Sequence, residues 1–288
     1  MTEPKTAFKL LAPACFPLLV LTLLPVAGVL ILAFVDWGVH GFAGFAGLAN
    51  FATLLEDRSF FNALLVTMIF FLSATVAEVG LGVVAAVALE GMNRGKNVLR
   101  TVLAAPLLLS PAIVGIVWKL GLNEQGGLFA AALRTLLGQE IRPLSSPLGA
   151  VLTITAIDVW QWTPFVFLLV SFSLEQHKLR YGDLVAIDGL NRFPAARNVW
   201  MPLLLPSIGI TVVFRTIDCI KVFDIVQTAT AGGPGGASEV LSFYAYKQLI
   251  KFGNLGYAAA ISVVLLALAT FVWLVGSKAL LRAWEPAK

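Results

Sequence analysis

Six stretches of this 288-residue chain are apolar over about twenty residues or more: Leu10–Val35, Ala63–Leu89, Val98–Leu120, Gly149–Leu174, Leu203–Val226 and Tyr257–Leu281. A helix needs roughly 20 such residues to cross the hydrocarbon core of a bilayer. Charged residues make up only 12% of the chain, against about 25% in soluble domains, and the mean hydropathy is +0.89. Little sequence remains for a soluble domain. The expectation is an all-α integral membrane protein, a single transmembrane domain over 1–288 with six helices at those positions. Lys5 and Lys9 precede the first run as they would in a signal peptide. The run is longer than the 7–15 residues of a signal core and has no clear A-x-A end, so it reads as a retained span. Cys15 and Cys219 both lie within apolar runs, which gives no disulfide framework.

The basic residues set an orientation. The tails and alternate loops on one side hold Lys5, Lys9, Arg94, Lys96, Arg100, Lys178, Arg180, Arg192, Arg197, Lys278, Arg282 and Lys288. The other side holds Arg58, Arg134, Arg142, Lys247 and Lys251, while Lys119, Arg215 and Lys221 fall within runs. The positive-inside rule then places both termini in the cytoplasm. The net charge of +4 reflects this topological bias and gives no sign of nucleic-acid binding.

Between the fourth and fifth runs lies a polar island, 175–202, with a helical grammar of its own. Leu184, Val185 and Ile187 place apolar side chains on adjoining turns of a short helix, with Asp183 favourable at its N-terminal end. Gly189, after Asp188, can take the left-handed conformation that stops a helix. Pro194 suits the first turn of a second short helix, and Pro202 starts or kinks the next run. Two small helices joined at a glycine and facing water form a docking element.

Polar residues inside the runs are the other informative feature. Arg215, Asp218, Lys221 and Asp224 recur every three residues, so on a helix each lies beside an opposite charge. A charge at a span centre costs about 2.5–3.5 kcal/mol on insertion scales. The ladder must therefore be paired or wetted, and its face lines the translocation path or the seam with a partner subunit, or else merely fixes helix packing. Glu78, mid-run, should face protein or a cavity. Small residues around it, Gly80, Gly82, Ala85, Ala86 and Ala88, permit close helix approach. Asp158, Trp160, Gln161 and Trp162 combine aromatic faces that stack on sugar rings with groups that satisfy hydroxyls, although aromatics also mark span ends. Pro106 and Pro111 break the third run, which membranes tolerate where protein or water satisfies the freed carbonyls.

The polar island resembles the cytoplasmic coupling loop of ABC importer permease subunits, Glu-Ala-Ala-x3-Gly-x9-Ile-x-Leu-Pro. Gly189, Val199, Met201 and Pro202 fall in register, and Ile187-Asp188-Gly189 matches the form seen in sugar-type systems. Asp183-Leu184-Val185 stand where Glu-Ala-Ala is usual. Further matches are Gly47-Leu48-Ala49-Asn50-Phe51 with Asp57 and Phe60, Pro106–Trp118, and Thr230-Ala-Gly232-Gly233-Pro234. The ending Val240-Leu241 … Tyr244 … Tyr246 … Phe252 … Gly256-Tyr257-Ala258-Ala259-Ala260 completes the set. The likeness covers about Asn50 to Ala260 and points to the class of the maltose and glycerol-3-phosphate systems.

That resemblance implies the type I importer permease architecture. Asp183, Leu184, Val185, Ile187, Asp188, Gly189 and Pro202 would couple to an ATPase. By their own chemistry, and not by the resemblance, Asp158, Trp160, Gln161, Trp162, Arg215, Asp218, Lys221 and Asp224 are the candidates to line the substrate pathway. It implies two ATPase subunits that bind ATP and Mg²⁺, a second permease of the heterodimeric kind, an extracytoplasmic binding protein, and a place in the bacterial inner membrane. No nucleotide-binding motif, metal cluster or catalytic set is evident in this chain. His40 and His177 read as loop residues. The alternative is an ion-coupled secondary transporter working through the Arg215–Asp224 ladder.

Overall fold

The computed structural model describes residues 4–90, 92, 94–138, 142–187, 190 and 192–284. Helices cover each of the apolar runs. In chain order they are α1 (Pro4–Leu32), α2 (Ala49–Glu56), α3 (Arg58–Glu90), α4 (Lys96–Ala104), α5 (Pro111–Gly121), α6 (Leu128–Leu137), α7 (Pro147–Ile187), α8 (Arg192–Ala195), α9 (Met201–Ile220), α10 (Leu241–Ile250) and α11 (Leu255–Trp284). Among the described residues, α3, α7, α9 with the turn before it, and α11 are each long and apolar enough to cross a membrane. The third run makes a fifth only if its two bent halves count as one span. The described apolar part of α1 is the shorter Phe16–Leu32. Side chains such as Phe16, Leu21, Leu65, Val76 and Phe271 stand exposed, as lipid-facing surfaces of spans do.

The all-helical class holds, with one addition. Between α1 and α2 the chain pairs as an antiparallel hairpin, β1 (Val35–Gly38) with β2 (Gly41–Phe45), in the register Val35↔Phe45. The cause is local: Gly41 and Gly44 take φ of +93° and +142°, and Trp37 meets Phe42 edge-on at 6.1 Å across the pair.

The third run bends by 95° between Lys96–Leu108 and Pro111–Gly121. A tight turn at Ala105–Leu108 contains Pro106, Ser110 is extended, and Pro111 opens α5. The missing proline N–H at each point ends the ladder. Gln161 of α7 then donates to the Leu109 carbonyl at 2.9 Å, a protein group satisfying freed backbone.

The chain forms two compact units, each from separated stretches. One runs up to Phe60 and takes in Tyr244–Ala267; the other is Phe61–Phe243 with the residues from Leu268 onward. The core of the second unit packs Ala86 and Leu89 of α3, Phe167, Val170 and Leu174 of α7, and Ala195, Trp200 and Leu204. Of the two glycines in this part of α3, Gly82 is the one that permits close approach. A Cβ there would press on Val166 and on the Phe167 amide, whereas Gly80 faces open space.

Candidate functional site

Arg215 organises the second unit. Its side chain is 1% exposed, and its guanidinium is surrounded by carboxylates from three helices. Nε and Nη2 donate to the two oxygens of Glu78 on α3 at 2.6 and 2.8 Å, a bidentate pair. Nη2 also donates to Asp158 on α7 at 2.9 Å, and Nη1 to Asp218 on α9 at 2.5 Å. The Trp162 ring centroid lies 4.6 Å from the guanidinium carbon, a cation–π contact. Glu78, Asp158 and the Cys219 sulfur converge within 4.8 Å, a spacing a metal ion could use. The Arg215 nitrogens already contact all three, reaching the sulfur at 3.4 Å. The cluster is an ion-pair hub.

The ladder expected along one helix is shorter than its spacing implied. Asp218 does pair with Arg215, and Lys221 reaches Asp218 at 3.3 Å. The helix then ends at Ile220, with Lys221 as its cap. Asp224 begins a separate turn that leads into a π-helical stretch, Val226–Thr230. Beside this break lies a cavity of about 320 Å³ whose wall includes Asp158, Trp162, Asp218, Lys221 and Asp224. Trp160 and Gln161 are not part of it. Trp160 stacks edge-on to Trp118 at 5.7 Å, and Gln161 is buried against the bend at Leu109. Sequence reasoning placed Glu78 against protein or a cavity and did not name its partner. The signal was there: a carboxylate in mid-span needs a cation, and Arg215 is one of the few basic residues that fall well inside an apolar run.

The polar island differs from the two-helix expectation. No separate helix starts at Asp183, because α7 runs unbroken from Pro147 to Ile187. Its apolar periodicity simply continues past the bilayer-length segment, so Asp183 lies within the helix and not at its N-terminus. His177, read as a loop residue, also lies on α7. Leu184 and Ile187 share a face and are 59% and 81% exposed, while Val185 packs on the core. Asp188 and Gly189 lie outside the described residues. Beyond them Pro194 sits in α8, and Pro202 falls in the first turn of α9. Glu175 anchors this end of α7, held by Arg100 at 2.7 Å and Lys96 at 3.2 Å from α4. The Arg100 hydrogen bond, opposed by burial and helped by Lys96, holds the Glu175 carboxyl below its ordinary range.

Asp57 is the hub of the first unit. It accepts hydrogen bonds from the Tyr244 hydroxyl, the Tyr257 hydroxyl at 2.5 Å and the Ser59 amide at 2.8 Å. Burial acts to raise its carboxyl, but these donors outweigh burial and hold it below the usual range. Tyr244 is pushed up to about 12 by burial and by the carboxylate it faces. Asn50 donates to the Ala33 and Val35 carbonyls at 3.0 and 2.9 Å, and a Cβ at Gly256 would strike that same Val35 carbonyl. Phe34 packs on Phe51 at 5.3 Å. In the second unit the Thr230–Pro234 turn is tied by Ser238, which donates to Thr230 Oγ1 at 2.8 Å and to the Gly233 carbonyl at 2.6 Å. Gly232 there takes φ of +79°, a conformation that favours glycine.

No family model matches the chain. The trehalose/maltose transport system permease protein MalF of Thermococcus litoralis is 31% identical over 91% of this chain and 89% of its own length. The sn-glycerol-3-phosphate transport system permease protein UgpA of Rhizobium meliloti is 31% identical over 78% of this chain and 77% of its own. A chain of the crystal structure of a bacterial ABC transporter that imports the acidic polysaccharide alginate superposes with a TM-score of 0.85. It is 17% identical and covers 97% of this chain and 96% of the other. The fold is therefore that of an ABC importer membrane subunit. The chain belongs to the sugar-type permeases of binding-protein-dependent ABC importers, the class of the maltose and glycerol-3-phosphate systems. Its function is that of a permease subunit in ATP-driven import.

Proposed function

We propose that this subunit carries a carbohydrate or polyol through the cavity beside Trp162 and takes its drive from an ATPase seated on Leu184 and Ile187. One observation supports this above all: a single helix, α7, bears Asp158 and Trp162 at one level and the exposed Leu184–Ile187 face at another. An exposed apolar helix edge suits a groove in a partner, and an aromatic ring beside carboxylates suits a sugar. Relatives named for trehalose/maltose, for sn-glycerol-3-phosphate and for sulfoquinovosyl glycerol favour a carbohydrate-like solute.

In this reading two ATPase subunits bind ATP and Mg²⁺ and perform the hydrolysis. A second, different permease completes the pathway, and a binding protein delivers solute from outside. The alginate transporter crystallised with a solute-bound periplasmic protein is the precedent. The assembly sits in the bacterial inner membrane with six spans and both termini cytoplasmic. Asp183, Val185, Asp188, Gly189 and Pro202 shape the coupling loop, and Arg215 supports the cavity from behind. An ion path along the Arg215–Asp224 ladder has no comparable support, since the helix ends at Ile220.

Gly189→Val tests the coupling. A β-branched residue resists the left-handed turn expected there. The variant should reach the membrane yet lose its ATPase partner or fail to convert hydrolysis into uptake. Normal uptake with no ATPase bound to either protein would sink the reading. Arg192→Cys tests the topology: it should be labelled from the cytoplasmic side alone.

A further inference from the structure

Membership of the family leaves the charge of the cargo open, and the cavity beside Trp162 bears on it. Four carboxylates, Glu78, Asp158, Asp218 and Asp224, gather at and behind its wall, against two cations, Arg215 and Lys221. Arg215 is committed. Its nitrogens donate to Glu78, Asp158 and Asp218, and the Trp162 ring lies over it. Lys221 is tied at 3.3 Å to Asp218, the carboxylate that Arg215 also holds. Asp224 is exposed on the wall, and among the described residues no cation pairs with it. Carboxylates thus outnumber cations four to two around this space, and the one exposed on the wall without a cation is acidic. An anion in a space of about 320 Å³ would face unpaired like charge, which strongly disfavours a wrong partner. Hydroxyls donate readily to such carboxylates, and an ammonium group complements them.

We infer that the cavity selects by charge: it admits uncharged or amino-substituted polyhydroxylated solutes and repels sugar phosphates and other anionic sugars. The inference rests on the reading that this cavity lies on the pathway. The test uses the assembled importer in liposomes, with Cys15→Ala and Cys219→Ser, and with Val222→Cys as a reporter on the cavity wall. Its reaction rates with cationic and anionic thiosulfonates of equal size are compared, each normalised to a free thiol. Glucose, glucosamine and glucose 6-phosphate, which share one scaffold, serve as protectants against a neutral thiol reagent.

The cationic reagent should react at least tenfold faster, and Asp224→Asn should shrink that ratio several-fold. Glucose and glucosamine should protect where glucose 6-phosphate does not. A ratio near one, or protection by glucose 6-phosphate equal to that by glucose, would overturn charge selection and leave the pathway reading standing. A reporter that reacts with no reagent, or that no sugar protects, would remove the pathway reading and this inference with it.

Discussion

Asp57 and Arg215 are both charged groups drawn in among protein partners, yet they are satisfied in opposite ways. Asp57 is satisfied by neutral donors, two tyrosine hydroxyls and backbone amides, so the groups that hold it add no charge of their own. Arg215 is surrounded by carboxylates, so the group that neutralises it brings an excess of opposite charge. The reason lies in the donor and acceptor inventory. An anion can be satisfied by O–H and N–H groups that carry no charge, whereas a buried guanidinium with up to five N–H donors calls for several acceptors at once. A neutral-donor hub ties elements together and little else. A carboxylate-rich hub also imposes a field on whatever space adjoins it.

The comparison can be broken most forcefully at Arg215. Arg215→Met should destabilise the subunit by about 3–5 kcal/mol, because it leaves Glu78 and Asp158 buried without their cation. The measurement is the unfolding midpoint in detergent, and adding Glu78→Gln should restore part of the loss. Additive losses would mean that the two residues are not one hub. Asp57→Ala should cost less, about 1–3 kcal/mol, since it strands neutral hydroxyls.

Acid sharpens the contrast. In the folded state the Tyr244, Tyr257 and backbone donors, against the opposing effect of burial, hold the Asp57 carboxyl below its ordinary value of 3.8. The stability it contributes is therefore fully present above about pH 4 and lost as pH falls through the folded value. Asp57→Asn should remove that acid-side loss, read from unfolding midpoints between about pH 5 and pH 2. Smallest of all should be Lys221→Ala. Lys221 is 68% exposed, and a surface pair of this kind contributes about 0–1 kcal/mol. A larger loss would place Lys221 inside the hub and not on its rim.

Much of this arrangement was legible in the sequence, at the level of need. The apolar runs located the helices, and the cost of charge in lipid required Arg215 and Glu78 to find partners. The family-like residues Asn50, Asp57, Tyr244, Gly256 and Tyr257 were visible as a pattern. That Asp57, Tyr244 and Tyr257 build one hub was not, because Asp57 and Tyr257 lie 200 residues apart and meet only through tertiary packing. The same limit hid the pairing of Glu78 with Arg215, 137 residues apart. The end of α9 at Ile220 escaped for a different reason: a three-residue charge spacing continues through a helix break without registering it. The hairpin after α1 was hidden by its brevity and its glycines.

The length of α7 has a mechanical consequence. At 1.5 Å per residue, Asp158 lies about 26 Å from Glu175 along the rod, and Asp183 about 12 Å beyond it on the other side. Glu175, gripped by Arg100 and Lys96, stands where a fulcrum would. If α7 tilts as a stiff beam about that grip, its arms differ roughly twofold, so 1 Å of push at Asp183 becomes about 2 Å of sweep at Asp158. Pro164, the one proline inside the beam, then sits on the long arm, where any give would absorb part of the stroke.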